Sequence, residues 1–281
     1  GQPVECGFVP PGVPLVPFHP VEHFGQVFTP PAVVGQMLAL RRNRGRVLEP
    51  SCGDGAFVRE LPGCVAIELD ARVASAQALQ MDFFAYPESE KFDTVIGNPP
   101  YVRYRDIGAA TRKLLRQDGF DGRSNLYLFF IEKCLRLLEP GGELIFITPR
   151  DFLKATSAVP LNRLMFELGT ITDFIDLGDL HLFDDATPNC AIWRFERGNL
   201  TRKTRYAALG FADTAETLAA PPWGERRFLE SGGHLLFTRH EYPLRLSDIA
   251  FVKVGAVSGA DDLYTSDAAG NRDFVCSSTV R

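Results

Sequence analysis

Asn98, Pro99, Pro100 and Tyr101 place a carboxamide, two proline rings and a phenol directly after the apolar run Phe92-Asp93-Thr94-Val95-Ile96-Gly97. Consecutive prolines hold φ at about −65° and remove two backbone donors. The carbonyls of Asn98 and Pro99 are then expected to face a ligand instead of a helix. An amide oxygen, a free carbonyl and an aromatic face at the end of a strand suit a planar group that carries an NH2. Asn-Pro is also ordinary turn chemistry. Taken alone, the stretch leaves both readings open.

A second constellation lies upstream. Leu48-Glu49-Pro50-Ser51-Cys52-Gly53-Asp54-Gly55 follows a short apolar run and precedes a helical pattern. Close glycines there let backbone N–H groups approach a ligand in the crevice of an open α/β sheet. The turn lacks the Gly-Lys-Ser/Thr of a phosphate loop, and Glu49 and Asp54 would repel phosphate. Acids suit a ligand with an ammonium, such as the amino-acid end of S-adenosylmethionine. Glu68, at the tip of the next expected strand, is placed to accept from both hydroxyls of a ribose. Asp82-Phe83 adds a carboxylate for an adenine amino group and a ring beside it.

Short β runs alternate with helical patterns in a way that can position these groups. Strands are expected at 46–48, 65–67, 94–96, 143–147, 171–175 and 191–195. Helices are expected from Thr29-Pro30-Pro31 to Leu40 with Thr29 as N-cap, near Ala56 to Leu61, from Ala71 to Leu79, and from Asn125 to Leu138. Such alternation implies a mostly parallel sheet covered on both faces. Residues 1–21 are expected to form a proline-rich arm and 22–220 a catalytic domain. Pro221-Pro222-Trp223-Gly224 reads as a boundary, with 221–281 a linker and the start of a second domain.

Composition sets outer bounds. With 281 residues and 45% hydrophobic content, the chain can bury a full α/β core. No apolar run reaches the roughly 20 residues of a membrane span, no secretory signal opens the chain, and cytoplasmic localisation is expected. The cysteines 6, 52, 64, 134, 190 and 276 include no C-x-x-C pair, so no zinc site or other metal is expected. The net charge of −5 disfavours nucleic acid overall, but arginines cluster at 41–46 and from Arg103 to Arg123. Each cluster reads equally as a basic binding face or a solvated surface.

Taken in order, Phe28-Thr29-Pro30-Pro31, Leu48 to Gly55, Glu68, Asp82-Phe83, Asn98-Pro99-Pro100-Tyr101 and Asn125-Leu126-Tyr127 through Phe130 resemble the gamma-class DNA adenine-N6 methyltransferases. These are the TaqI-like and Eco57I-like enzymes of restriction–modification systems. The resemblance covers about residues 22 to 198, and Val252 to Asp262 is weakly similar to the opening of that family's target-recognition domain.

The resemblance implies an α/β, doubly wound, mostly parallel, seven-stranded class I methyltransferase sheet with S-adenosyl-L-methionine as methyl donor. It implies that Thr29 with Pro30, Glu49, Ser51 and Gly53 contact the methionine end of the cofactor. Glu68 would hold the ribose, Asp82 the adenine N6, and Phe83 and Phe130 the adenine faces. Asn98 and the Pro99 carbonyl, in the turn completed by Pro100, would bind the target amine. Tyr101 and Phe183, the latter about two residues further from its glycine than in TaqI-like members, would stack on the target base. The implied partners are double-stranded DNA and a cognate restriction endonuclease. A planar NH2 is also presented by RNA bases, by a protein glutamine and by cytosine N4. Those N-methyltransferases are the alternatives, together with a silent fold that only binds S-adenosylmethionine or DNA.

Overall fold

The computed structural model describes residues 29–116, 124–178 and 189–239. The elements run α1 (Pro31–Leu40), β1 (Val47–Glu49), β2 (Val65–Glu68), β3 (Leu79–Gln80), β4 (Phe92–Gly97), α2 (Ala109–Leu114), α3 (Leu126–Leu137) and β5 (Leu138–Pro149). They continue with α4 (Val159–Leu168), β6 (Gly169–Asp176), β7 (Cys190–Arg197), β8 (Lys203–Ala208), α5 (Ala215–Ala219), β9 (Gly224–Ser231) and β10 (His234–Thr238).

The strands form one sheet in the order β10-β9-β8-β6-β7-β5-β4-β1-β2-β3. From β3 to β5 every pairing is parallel. β7 then inserts antiparallel between β5 and β6. The seven-stranded, mostly parallel sheet that the resemblance implies is therefore present as β3-β2-β1-β4-β5-β7-β6. Three more extend the open edge. β8 pairs parallel with β6, and the hairpin β9–β10 follows antiparallel. β9 and β10, inside the 221–281 stretch expected as a linker and the start of a second domain, thus extend the same sheet, and the sheet-bearing unit runs to residue 240.

Side chains alternate across the central strand. Leu144 and Phe146 of β5 pack on one face with Leu128, Ile131 and Trp193. Ile145 and Ile147 pack on the other with Met37 and Phe57. α3 covers the first face and α1 the second, as the period of two in β5 requires.

Three local expectations are corrected. No helix forms over 71–79. The Ser75 N–H bonds the Gly53 carbonyl (3.0 Å), and Arg72 bonds back to Asp70, so backbone and side-chain partners outside a helical ladder win over alanine propensity. Residues 56–61 contain only a short 3-10 turn at Val58–Glu60. Thr29 is not the N-cap of α1. Pro30 occupies that position without a side-chain bond, leaving the Thr29 hydroxyl to another partner.

At the edge of the frame away from the strand tips, Glu143 is fully buried. It accepts from the backbone N–H groups of Arg42 (3.0 Å) and Asn43 (2.9 Å), the Thr94 hydroxyl (2.9 Å) and Arg194 Nε (2.6 Å). Asp173 accepts from Arg42 (2.8 Å) and from Arg205 Nε (2.6 Å) in the same cluster. Removing one member of a buried charged pair strands the others, so Glu143→Ala should cost about 3–5 kcal/mol of unfolding free energy by urea titration. A loss under about 1 kcal/mol would show the cluster to be dispensable.

Candidate functional site

β1 ends at Glu49, and the chain turns back through Pro50 to Gly55. Gly53 and Gly55 have φ of 51° and 84°, a region that favours glycine. The turn is tied to the neighbouring strand twice, by Cys52 N–H to the Ile67 carbonyl (2.9 Å) and by Gly53 N–H to Glu68 Oε2 (2.8 Å). The other Glu68 oxygen accepts from Asp70 N–H (2.9 Å). A carboxylate has about four acceptor positions, so Glu68 closes the turn and keeps room for further donors.

Glu49 is only 2% exposed, and its Oε2 has no hydrogen-bond partner. Burial pushes its pKa up to about 9; the Val58 backbone opposes that, while Asp54 and Glu68 add to it.

On the next tip, Asp82 Oδ1 accepts from Phe84 N–H (2.9 Å), capping a 3-10 turn at Phe83–Ala85. Its Oδ2 accepts from the Thr111 hydroxyl (2.5 Å). Phe83 and Phe130 stack on each other at 4.9 Å and 26°, instead of standing apart as two walls for one base.

Asn98 follows β4 and is held from three directions. Its Nδ2 donates to Thr29 Oγ1 (3.3 Å), its Oδ1 accepts from the Tyr101 hydroxyl (2.7 Å), and its backbone carbonyl accepts from Ser51 Oγ (3.2 Å). The Asn98 carbonyl, expected to face a ligand, is therefore already bonded to the glycine turn. The Tyr101 hydroxyl also lies 2.9 Å from the Ile147 carbonyl, so one proton serves two acceptors. Burial raises the Tyr101 pKa well above its ordinary value and keeps the donor neutral. Its ring meets Tyr127 edge-on at 5.9 Å.

One cavity of about 420 Å³ gathers these groups. Of the residues singled out by sequence, Thr29, Glu49, Ser51, Gly53, Glu68, Asp82, Phe83, Asn98, Pro100 and Phe130 line it, while Pro30, Pro99 and Tyr101 do not. Phe183 lies outside the described residues. The lining includes the carboxylates Glu49, Asp54, Glu68, Asp82 and Asp106 and no lysine or arginine. That donor set fits a cationic ligand and rejects a phosphate. An orphaned carboxylate oxygen at Glu49, two apolar rings and a second carboxylate at Asp82 are compatible in chemistry with an adenosyl-methionine. Among the described residues no cluster of His, Cys, Asp or Glu is arranged to hold a metal ion, and no helix is long and apolar enough to cross a membrane.

Two parts of the site were missed by sequence. The segment after Tyr101 forms a wall through Val102, Ile107, Gly108 and Thr111, braced by Arg112 Nη2 on the Ile107 carbonyl (2.7 Å). Nothing in the local pattern marks Thr111. Lys133 sits behind the Phe83 turn, and its spacing of three from Phe130 on one helix was a usable signal. The basic clusters divide. In the 41–46 run, Arg42 pairs with Asp173 (2.8 Å) and Arg46 with Glu90 (2.8 Å), so two of its members are structural. Arg103 and Arg105 are exposed beside the cavity wall.

The family described as Eco57I restriction-modification methylase matches residues 63–183. The Type II methyltransferase M.TthHB8I of Thermus thermophilus is 32% identical over 213 residues, covering 67% of this chain and 48% of the relative. M.HincII of Haemophilus influenzae is 27% identical over 187 residues, covering 62% of this chain and 37% of the relative. The matched part of the chain thus spans less than half the length of either. The structure of a DrdV–DNA complex superposes with a TM-score of 0.59 at 14% identity, over 76% of this chain and 31% of that one.

The folded chain keeps a proton on Glu49 that the unfolded chain releases above about 4.5. Folding therefore takes up a proton, and stability falls as pH climbs from about 4.5 toward 9. Glu49→Gln should match wild type in thermal melts near pH 5 and melt higher than wild type near pH 9. A difference between the two proteins that does not change with pH would show that Glu49 stays ionised in the fold.

Proposed function

We propose that this chain, which belongs to the gamma-class restriction–modification methyltransferases similar to Eco57I, carries the catalytic part of an enzyme that methylates the N6 amine of an adenine in duplex DNA. The observation that carries the reading is the Asn98 carboxamide, oriented by Thr29 and Tyr101 at the rim of an acid-lined cavity.

S-Adenosylmethionine, when bound, supplies an electrophilic methyl group on sulfur. Glu49 is suited to the ammonium of its amino-acid end, and a cation there would draw the proton off that carboxyl. Glu68 is suited to the ribose and Asp82 to the adenine N6, with Phe83 and Phe130 as an apolar wall.

The target amine is a poor nucleophile because its lone pair is delocalised into the base. Asn98 Oδ1, fixed in place by the Tyr101 hydroxyl, is the first acceptor for an amine proton. The Pro99 carbonyl is the second acceptor. Two such bonds favour a tetrahedral nitrogen with its lone pair free for attack. The proton is lost once the nitrogen carries positive charge, so no strong base is needed beforehand. Rate enhancement comes from alignment and preorganised dipoles.

A base in a duplex must be extruded to reach Asn98. Tyr101 and Phe183 are the proposed clamp, with Arg103 and Arg105 on flanking phosphates. Part of residues 221–281, beyond the sheet, would begin the domain that selects the DNA sequence, and a cognate endonuclease is a proposed partner.

Transfer of labelled methyl from S-adenosylmethionine to duplex DNA, followed by nucleoside analysis, tests the reading. N6-methyladenine is expected, and Asn98→Ala should lower turnover by about a hundredfold or more while cofactor binding stays near wild type. N4-methylcytosine as the product, label in RNA or protein only, or undiminished turnover of the variant would overturn it.

A further inference from the structure

Lys133 is 3% exposed, on the same face of α3 as Phe130. Its ammonium donates to the carbonyls of Phe83 (2.7 Å), Phe84 (2.8 Å) and Tyr86 (2.7 Å) and lies 4.9 Å from the centre of the Phe83 ring. Three protons meet three acceptors, so the donor capacity of the group is fully used. Among the described residues no carboxylate lies within ion-pairing distance of it. Taking an ammonium out of water is costly, and carbonyls offset that cost only when several converge with good geometry.

The carbonyls in question belong to one short turn. It begins at Asp82, whose carboxylate is also held by Phe84 N–H and Thr111 Oγ1, and its first ring, Phe83, stacks on Phe130. The turn contributes Asp82, Phe83 and Phe84 to the cavity wall. Having only three residues of 3-10 structure, it cannot hold its own position by backbone bonds. α3, by contrast, is packed along its length on the sheet. Lys133 is the strut between the rigid helix and the short turn, and it does not itself line the cavity.

We infer that Lys133 is a positioning residue for purine recognition: it holds the Asp82 carboxylate and the Phe83 ring where they select a ligand bearing a 6-amino group. This rests on the cofactor reading above. The strut acts through Asp82, so its loss changes selectivity as well as affinity. A residue that only stabilised the fold would weaken all ligands in the same ratio.

The test compares S-adenosyl-L-homocysteine with S-inosyl-L-homocysteine by calorimetry on the whole chain. The inosyl compound presents a carbonyl oxygen to Asp82 in place of an amino group. Wild type should prefer the adenosyl compound by about tenfold or more, one well-made polar contact's worth. Lys133→Met and the milder Lys133→Gln should each weaken adenosyl binding about tenfold and shrink the preference to about threefold or less, while melting stays cooperative. An unchanged preference in both variants overturns the inference, whether or not the affinities fall together. So does a wild type without preference, or loss of cooperative melting in both variants, which would make the lysine structural. If wild type binds neither compound, it is the cofactor reading that fails.

Discussion

The fully buried Glu143 carboxylate is the junction on which the frame depends. It joins the segment leaving α1, the strand β4 through Thr94, its own strand β5, and β7 through Arg194. Such a group is costly to bury alone and tolerable only when its lone pairs are all engaged. Its partners come from three other parts of the chain, so the cluster is satisfied by one arrangement of α1, β4, β5 and β7 and by few others. Asp173 continues the network to β6 and β8 through Arg42 and Arg205, which links the extension strands to the same frame.

That arrangement decides where the strand tips lie. With β1, β4 and β5 adjacent, Glu49, Asn98 and Ile147 emerge side by side. A short hydrogen-bonded chain then runs from Thr29 through the Asn98 carboxamide and the Tyr101 hydroxyl to the Ile147 carbonyl. Ser51 adds a link from the glycine turn to the Asn98 carbonyl. A terminal amide can turn over at small cost in water; here both of its ends have partners, so its oxygen and nitrogen are distinguished before any ligand arrives. This is preorganisation in a literal sense, since the dipole need not reorient during the reaction.

Much of this was legible in the residues. The alternation of β runs and helices predicts the sheet, and Phe92 to Gly97, Asn125 to Leu138 and Glu143 to Ile147 correspond to β4, α3 and part of β5. Other elements were not legible for identifiable reasons. The alanines of 71–79 favour a helix, but Ser75 and Arg72 bond elsewhere. β8 and β9 carry half-buried patterns with arginines, and the aromatic contacts that join β8 and β10 to β6, Phe174 with Tyr206 and Phe174 with Phe237, lie far apart in sequence. Threonine before proline is a common cap, yet the Thr29 hydroxyl serves Asn98.

The sequence by itself determined the fold class, the order of the acidic and glycine turns, and the residue types able to meet an amine, a ribose and an ammonium. These follow from local pattern and from the chemistry a side chain carries wherever it sits. Only the tertiary structure decided that Asn98 is oriented by Tyr101, that Phe83 stacks on Phe130, that Glu49 has an oxygen without a donor, and that Lys133 grips the Asp82 turn. Hydrogen-bond satisfaction and burial depend on neighbours that stand fifty or a hundred residues away in the chain, as Lys133 and Phe83 (50 apart) or Arg42 and Glu143 (101 apart) do. No local pattern encodes such a pairing; the packed sheet creates it.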